Sequence, residues 1–205
     1  MYLYATPLVP IPSPQIAHAF LHCFPNTHPK AQDPPLSSLY AYALLSYARN
    51  AHFPSDNKAT LSFSPKGKPY LEDSSLHLSL SHSKTHALCA ISNFPIGCDI
   101  ESHREVSHKT MARTLSPNET QEDFFAYWCL KESYVKLSQD FSTPFSVLDF
   151  SLENQTAQYS SFFGKVYDLI PNNTVAVLAK KAFSPPKLQL LGSETLFSHL
   201  LEKYT

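Results

Sequence analysis

The 205-residue chain is 43% hydrophobic and only 16% charged, the balance of a folded globular protein and not of a disordered one. A formal charge of −1 excludes a globally basic surface for nucleic acid or anionic membrane, so any basic patch must be local. Cys23, Cys89, Cys98 and Cys129 lie far apart with no C-x-x-C, which fits buried free thiols in a reducing cytoplasm and excludes a zinc or thioredoxin-type pair.

In chain order, residues 1–14 read as an extended strand running into a proline-rich connection. The segment has no basic start and no later apolar run is long enough for a bilayer, so neither a signal peptide nor a membrane span is expected. A short helix is predicted over Gln15–Cys23 and a loop from Pro25 to Pro35. A second helix follows from Ser37 or Ser38, as cap, to about Asn50. Leu61 and Phe63 alternate with serines as in a strand, and Ser64-Pro65-Lys66-Gly67-Lys68-Pro69 is a turn. Leu76 to His82 alternates with period two, Ala87 to Ile91 is continuously apolar, and Ser83-Lys84-Thr85 turns one strand into the other. Ile96-Gly97-Cys98-Asp99-Ile100-Glu101 is a further short strand.

Ser116-Pro117-Asn118-Glu119 carries the marks of a helix start, and the helix is expected to reach about Leu137. Strands are predicted over 145–152, 162–170 and 174–179, with a hairpin turn at Pro171-Asn172-Asn173 and a closing helix over 193–203. The order helix, strands, hairpin occurs before about residue 95 and again after it. The expected fold is therefore α+β: two similar α/β halves in pseudo-twofold arrangement, 1–95 and 96–205, with antiparallel sheets and packed helices.

Asp99 and Glu101 are two apart on a strand and so project from one face. Adjacent carboxylates repel and lose hydration on burial, and a hard divalent cation with oxygen ligands relieves both. Trp128, Glu132 and Lys136, at i, i+4 and i+8, share one helical face, with Lys131 beside it. Each segment alone also fits the plainer reading, a solvated strand end or a surface ion pair.

Together they are far more specific. Gly97-x-Asp99-x-Glu101, followed after about thirty residues by Trp128-x-x-Lys131-Glu132-Ser133-x-x-Lys136, resembles the paired signature of the 4′-phosphopantetheinyl transferases, in their longer, single-chain, surfactin-synthase-activating type. Upstream, Gly67-Lys68-Pro69 and Ser81-His82-Ser83 are similar to that family's G-K-P turn and S-H-S segment. The resemblance covers residues 60–137. It implies transfer of 4′-phosphopantetheine from coenzyme A to a serine of an apo acyl or peptidyl carrier protein, by a cytoplasmic monomer, with adenosine 3′,5′-bisphosphate leaving.

By that resemblance Asp99, Glu101 and Glu132 hold Mg²⁺, and Lys131 and Lys136 stabilise charge on the transferred phosphate and leaving group. Lys68, Ser81 and His82 meet coenzyme A phosphates, and Arg49 is the one basic residue of the second predicted helix that could join them. The base for the serine is either Glu132, through a metal-bound water, or Glu119, for which helix capping is the plain alternative. The rival activity is Mg²⁺-dependent diphosphate hydrolysis; the rival class is a non-catalytic binding module of the same fold. The chain departs from the family pattern after the lysine-bearing helix: Ser138-Gln139-Asp140-Phe141-Ser142 contains none of the usual glycines.

Overall fold

A computed structural model describes residues 1–25, 28, 31–55 and 59–204. Four of the residues in the loop expected over 25–35 therefore lie outside the described ones. The first half begins with β1 (Tyr2–Pro7), α1 (Pro14–Cys23) and α2 (Leu36–His52). β2 (Leu61–Phe63) and β3 (Pro69–Leu71) form a small hairpin, and β4 (His77–His82) and β5 (His86–Ser92) a larger one. Ser13 caps α1, its Oγ accepting from the Ile16 backbone N–H, which licenses a helix start at Pro14. α2 starts instead at Pro35-Leu36 with no side-chain cap, so neither Ser37 nor Ser38 has the expected role. Its stability comes from packing: Leu39, Tyr40, Leu44 and Leu45 are buried in the core that α2 shares with β5, α1 and the C-terminal helix.

The second half holds β6 (Ile96–Ser102), α3 (His108–Thr114), α4 (Phe124–Ser138), a 3₁₀ turn at Phe145–Val147, β7 (Ser151–Glu153), β8 (Thr156–Tyr159), β9 (Phe162–Ile170) and β10 (Asn173–Ala179). Its sheet runs β6-β10-β9-β8-β7 and is antiparallel throughout. The chain then returns to the first half. β11 (Leu188–Leu190) pairs parallel with β1, giving the order β11-β1-β5-β4, and α5 (Ser193–Tyr204) buries Leu196, Phe197 and Leu200 in the first core. The architecture is α+β with antiparallel sheets, as expected, and the β11–β1 pair is its one parallel addition among the described strands.

Several elements differ from the sequence expectation. The turn at Ser116 forms, with the Ser116 N–H donating to the Glu119 carboxylate (2.9 Å) and the Glu119 N–H to the Ser116 carbonyl (3.2 Å), but it does not propagate. Glu119 is drawn inward to a lysine, and the helix restarts at Phe124. The strand predicted over 145–152 is instead a 3₁₀ turn at Phe145–Val147, entered from Pro144, followed by a short strand. α3 and β8 were not legible as elements.

The halves meet where β4, at one edge of its sheet, lies against β6, at the edge of the other. The Cys98 N–H donates to Ser79 Oγ (3.0 Å) and Cys98 Sγ to the Ser79 carbonyl (3.2 Å). A second tie is Asn173, whose Oδ1 accepts from Ser83 Oγ (2.9 Å) of the first half and Ser102 Oγ (2.9 Å) of the second. α4 packs on β6 and β10, and Gly97 lets it come close: a Cβ there would stand 2.0 Å from the Ser133 carbonyl oxygen.

Candidate active site

Along the seam, β4 contributes Ser81, β6 contributes Asp99 and α4 contributes Lys136. Asp99 is buried, and its Oδ1 accepts from Ser81 Oγ (2.7 Å) and from Lys136 Nζ (2.7 Å); Lys136 also donates to Ser81 Oγ (2.8 Å). These three side chains tie both halves and the helix into one polar junction. Burial alone would lower the Lys136 ammonium, but the Asp99 carboxylate, with Cys98 and Glu132, outweighs it and the pKa stands above the usual lysine value. Asp99 Oδ2 is buried with no hydrogen-bond partner among the described residues. A buried carboxylate oxygen left unpaired is expensive, and its natural complement is a cation.

Glu132, one turn before Lys136, lines a cavity of about 280 Å³ with Lys136, Lys68, Ser79 and Val135. Burial raises its carboxyl pKa, the Asp99 and Glu101 charges raise it further, and Lys136 opposes them. Glu101 shares the field but not the junction. Its carboxylate is turned to Arg104 Nη1 (2.6 Å), and that guanidinium lies over the rings of Phe125 and Trp128. Among the described residues no three His, Cys, Asp or Glu side chains are gathered as a ready metal cage. The donor chemistry nevertheless suits a hard divalent cation: an orphaned oxygen on Asp99, a second carboxylate that repels it, and a third held nearby by an exchangeable arginine.

Lys68 follows the Gly67 turn, where φ is +82°, a backbone angle that suits glycine. Its Nζ reaches the Ile96 carbonyl at 3.5 Å, and burial lowers its pKa. His82 is exposed at the end of β4, one residue beyond Ser81. Arg49 is not brought to this group. Its Nη2 donates to the Ala59 carbonyl (2.9 Å), and it lines a separate cavity of about 510 Å³ with Ser46, Lys203 and Tyr204.

Lys131 and Glu119 also stand apart, and together. Both side chains are fully buried, and Lys131 Nζ donates to a Glu119 carboxylate oxygen and to the Thr114 carbonyl (2.6 Å). Glu119 further accepts from the backbone N–H of Ser116 (2.9 Å) and of Phe150 (3.0 Å), so both its oxygens are used. Neither residue lines the cavity beside Asp99.

Sequence reasoning missed Arg104, the neighbour that holds Glu101, and Lys66 and Phe141 on the cavity rim. Arg104 follows the acidic pair by three residues, a spacing that could have signalled it.

Known proteins resemble the part of the chain that carries these residues. The sequence model described as the 4′-phosphopantetheinyl transferase superfamily matches residues 95–179, the stretch from β6 through β10 that carries Asp99, Glu101, Glu132 and Lys136. Over that stretch the chain is similar to this superfamily, whose members are enzymes. It is 37% identical over 81 residues to the 4′-phosphopantetheinyl transferase gsp of Aneurinibacillus migulanus, an alignment covering 34% of each chain. It is 28% identical over 162 residues to the transferase ffp of Bacillus subtilis, covering 68% of this chain and 72% of that one. It is 31% identical over 146 residues to the transferase HetI of a Nostoc strain, covering 59% and 60%. The matched stretch is thus about a third of the first relative's length and under two thirds of the third's.

Proposed function

We propose that the protein transfers the 4′-phosphopantetheine of coenzyme A to a serine hydroxyl of an apo acyl or peptidyl carrier protein, releasing adenosine 3′,5′-bisphosphate with the help of Mg²⁺. The observation that carries this reading is the buried junction of Ser81, Asp99 and Lys136, with one Asp99 oxygen unpartnered beside Glu132. Asp99, Glu132 and Glu101, once released from Arg104, would hold the cation. When bound it supplies charge neutralisation on the diphosphate oxygens.

The chain's own residues do the rest. Lys136 is kept protonated by Asp99, so it meets developing negative charge at the transferred phosphate without a proton transfer of its own. Lys68 brings a second ammonium to the same cavity, and Ser81 fixes the rotamers of Asp99 and Lys136 together. Glu132, whose raised pKa gives it more affinity for protons than an ordinary carboxylate, is the stronger candidate to accept the serine proton. Glu119 is the weaker one, because both its oxygens are engaged in the buried pair. We further place residues 1–95 with the donor phosphates and 96–205 with the acids, in a cytoplasmic monomer; among the described residues no helix is long and apolar enough to cross a membrane.

The test is incubation with coenzyme A, Mg²⁺ and an apo carrier protein. The reading expects the carrier's intact mass to rise by one phosphopantetheine. Cleavage of coenzyme A with no change in the carrier would mean hydrolysis, and overturn it.

A further inference from the structure

The cavity that holds Glu132 and Lys136 is not charged throughout. Pro69, Leu80, Val135 and Phe141 add apolar lining, and Phe141 stands 65% exposed. A second recess of about 550 Å³, lined by Lys66, Asp140, Phe141 and Ser142, shares Lys66 and Phe141 with it. An exposed aromatic ring is ordinarily a loose feature of a surface loop, but this one is held.

The loop that carries it is tied to the turn of the other half. Gln139 takes the left-handed position at the end of α4, φ +55°, where a glycine would be expected. Its side-chain oxygen accepts from Ser64 Oγ (2.8 Å) and its carbonyl from Lys66 Nζ (2.6 Å). Asp140 closes the next turn, accepting from the Ser142 N–H (2.9 Å), Ser142 Oγ (2.6 Å) and Thr143 Oγ1 (2.6 Å). Those hydrogen bonds hold its carboxyl well below the usual range and occupy both its oxygens. Lys66 Nζ in turn sits 5.8 Å from the centre of the Phe141 ring. Bonds between the halves thus present a flat apolar face and an ammonium side by side at the mouth of the cavity.

Resting on the function proposed above, the donor leaves its diphosphate in two directions. One arm is a neutral amide chain, and the other a nucleotide with a flat base and a further phosphate. A rim made of an aromatic face and two lysines, Lys66 and Lys68, complements the second. We propose that Phe141 and Lys66 form the seat of the nucleotide end of coenzyme A, the base stacking on the Phe141 ring and Lys66 facing the nucleotide phosphate. The glycine-free loop of this chain is then a specificity element, replacing backbone flexibility with a fixed platform.

Calorimetric binding of coenzyme A, adenosine 3′,5′-bisphosphate and 4′-phosphopantetheine to wild type, Phe141→Ala and Phe141→Tyr tests this. Loss of one base stack is expected to weaken coenzyme A and the bisphosphate alike, by about tenfold, in Phe141→Ala. Phosphopantetheine, which has no base, should bind unchanged, and Phe141→Tyr should restore the affinity of the other two. Lys66→Met should weaken the bisphosphate and reduce the salt dependence of its binding. Unchanged affinity for both nucleotides in Phe141→Ala, with the Michaelis constant for carrier protein raised instead, would assign the ring to the carrier and overturn the proposal while leaving the transferase reading intact. Failure of wild type to bind coenzyme A at all would overturn both.

Discussion

Helix α4 carries two lysine–carboxylate pairs, five residues apart, and they are built to opposite specifications. Lys131 with Glu119 is sealed: both side chains are fully buried, the lysine has a second acceptor, and each oxygen of the acid is engaged. Lys136 with Asp99 is left open, the lysine 28% exposed to the cavity and one buried acid oxygen without a partner. Removing either ion from a sealed pair leaves an uncompensated buried charge, so that pair is a structural pin between α4 and the Thr114–Glu119 turn. An open pair has capacity to spare, and a substrate or a cation can complete it. The signature residues Lys131 and Lys136 look alike in sequence; what separates them is whether their partners are already satisfied.

The largest effect that bears on this contrast is in stability. Lys131→Met should lower unfolding free energy by about 3–5 kcal/mol, because Glu119 stays behind charged and buried. The double variant Lys131→Met/Glu119→Gln should recover part of the loss, and denaturant unfolding of the three proteins measures it. If the single variant unfolds like wild type, the pair is no pin. Lys136→Met should act on catalysis, lowering the transfer rate by about 10²–10³-fold, the size of effect seen when one preorganised charge-stabilising donor is removed. A steady-state assay with carrier protein in excess reads it.

Gly97→Ala probes the support beneath both pairs. The added methyl meets the Ser133 carbonyl and pushes α4 off β6, an overpacking penalty of about 1–3 kcal/mol. Transfer should fall more than stability, since Lys136 moves with the helix. The smallest effect is expected for Glu132→Gln. The Glu132 pKa is raised in the fold, so between the ordinary glutamate value and the folded value the native state holds the extra proton, and stability falls as pH rises through that window. At neutral pH the wild type carries that penalty and the glutamine variant does not. The variant should therefore melt higher than wild type in metal-free buffer. It should also lose most of the further stabilisation that Mg²⁺ gives wild type, which thermal melts with and without the metal will resolve.

Much of the site could be read in the sequence because its residues sit on regular elements. Period two puts Asp99 and Glu101 on one face of β6, and period 3.6 lines up Trp128, Glu132 and Lys136 on α4. Periodicity fixes where a Cβ points, but not what a long side chain reaches. Glu101 therefore could not be seen to turn to Arg104, nor Lys131 to turn to Glu119. The helix start at Ser116 was legible as a turn and misread in extent, since the inward pull on Glu119 is a tertiary effect. Long-range pairings were hidden for the same reason: nothing local in Leu188–Leu190 announces a partner near the N-terminus. Arg49 is basic and on the expected helix, yet the helix's rotation directs it to a different cavity.

The contrast between the sealed and the open pair comes down to Asp99. Asp99→Asn keeps the shape of the side chain while removing the charge that pairs with Lys136 and that a cation would meet at Oδ2. Intact-mass analysis of an apo carrier protein, incubated with coenzyme A, Mg²⁺ and either enzyme, is the direct measurement, made on preparations whose melting curves are compared alongside. Wild type should load the carrier with one phosphopantetheine, and Asp99→Asn, still folded at the assay temperature, should leave the carrier unmodified. Loading by Asp99→Asn at the wild-type rate would contradict the account.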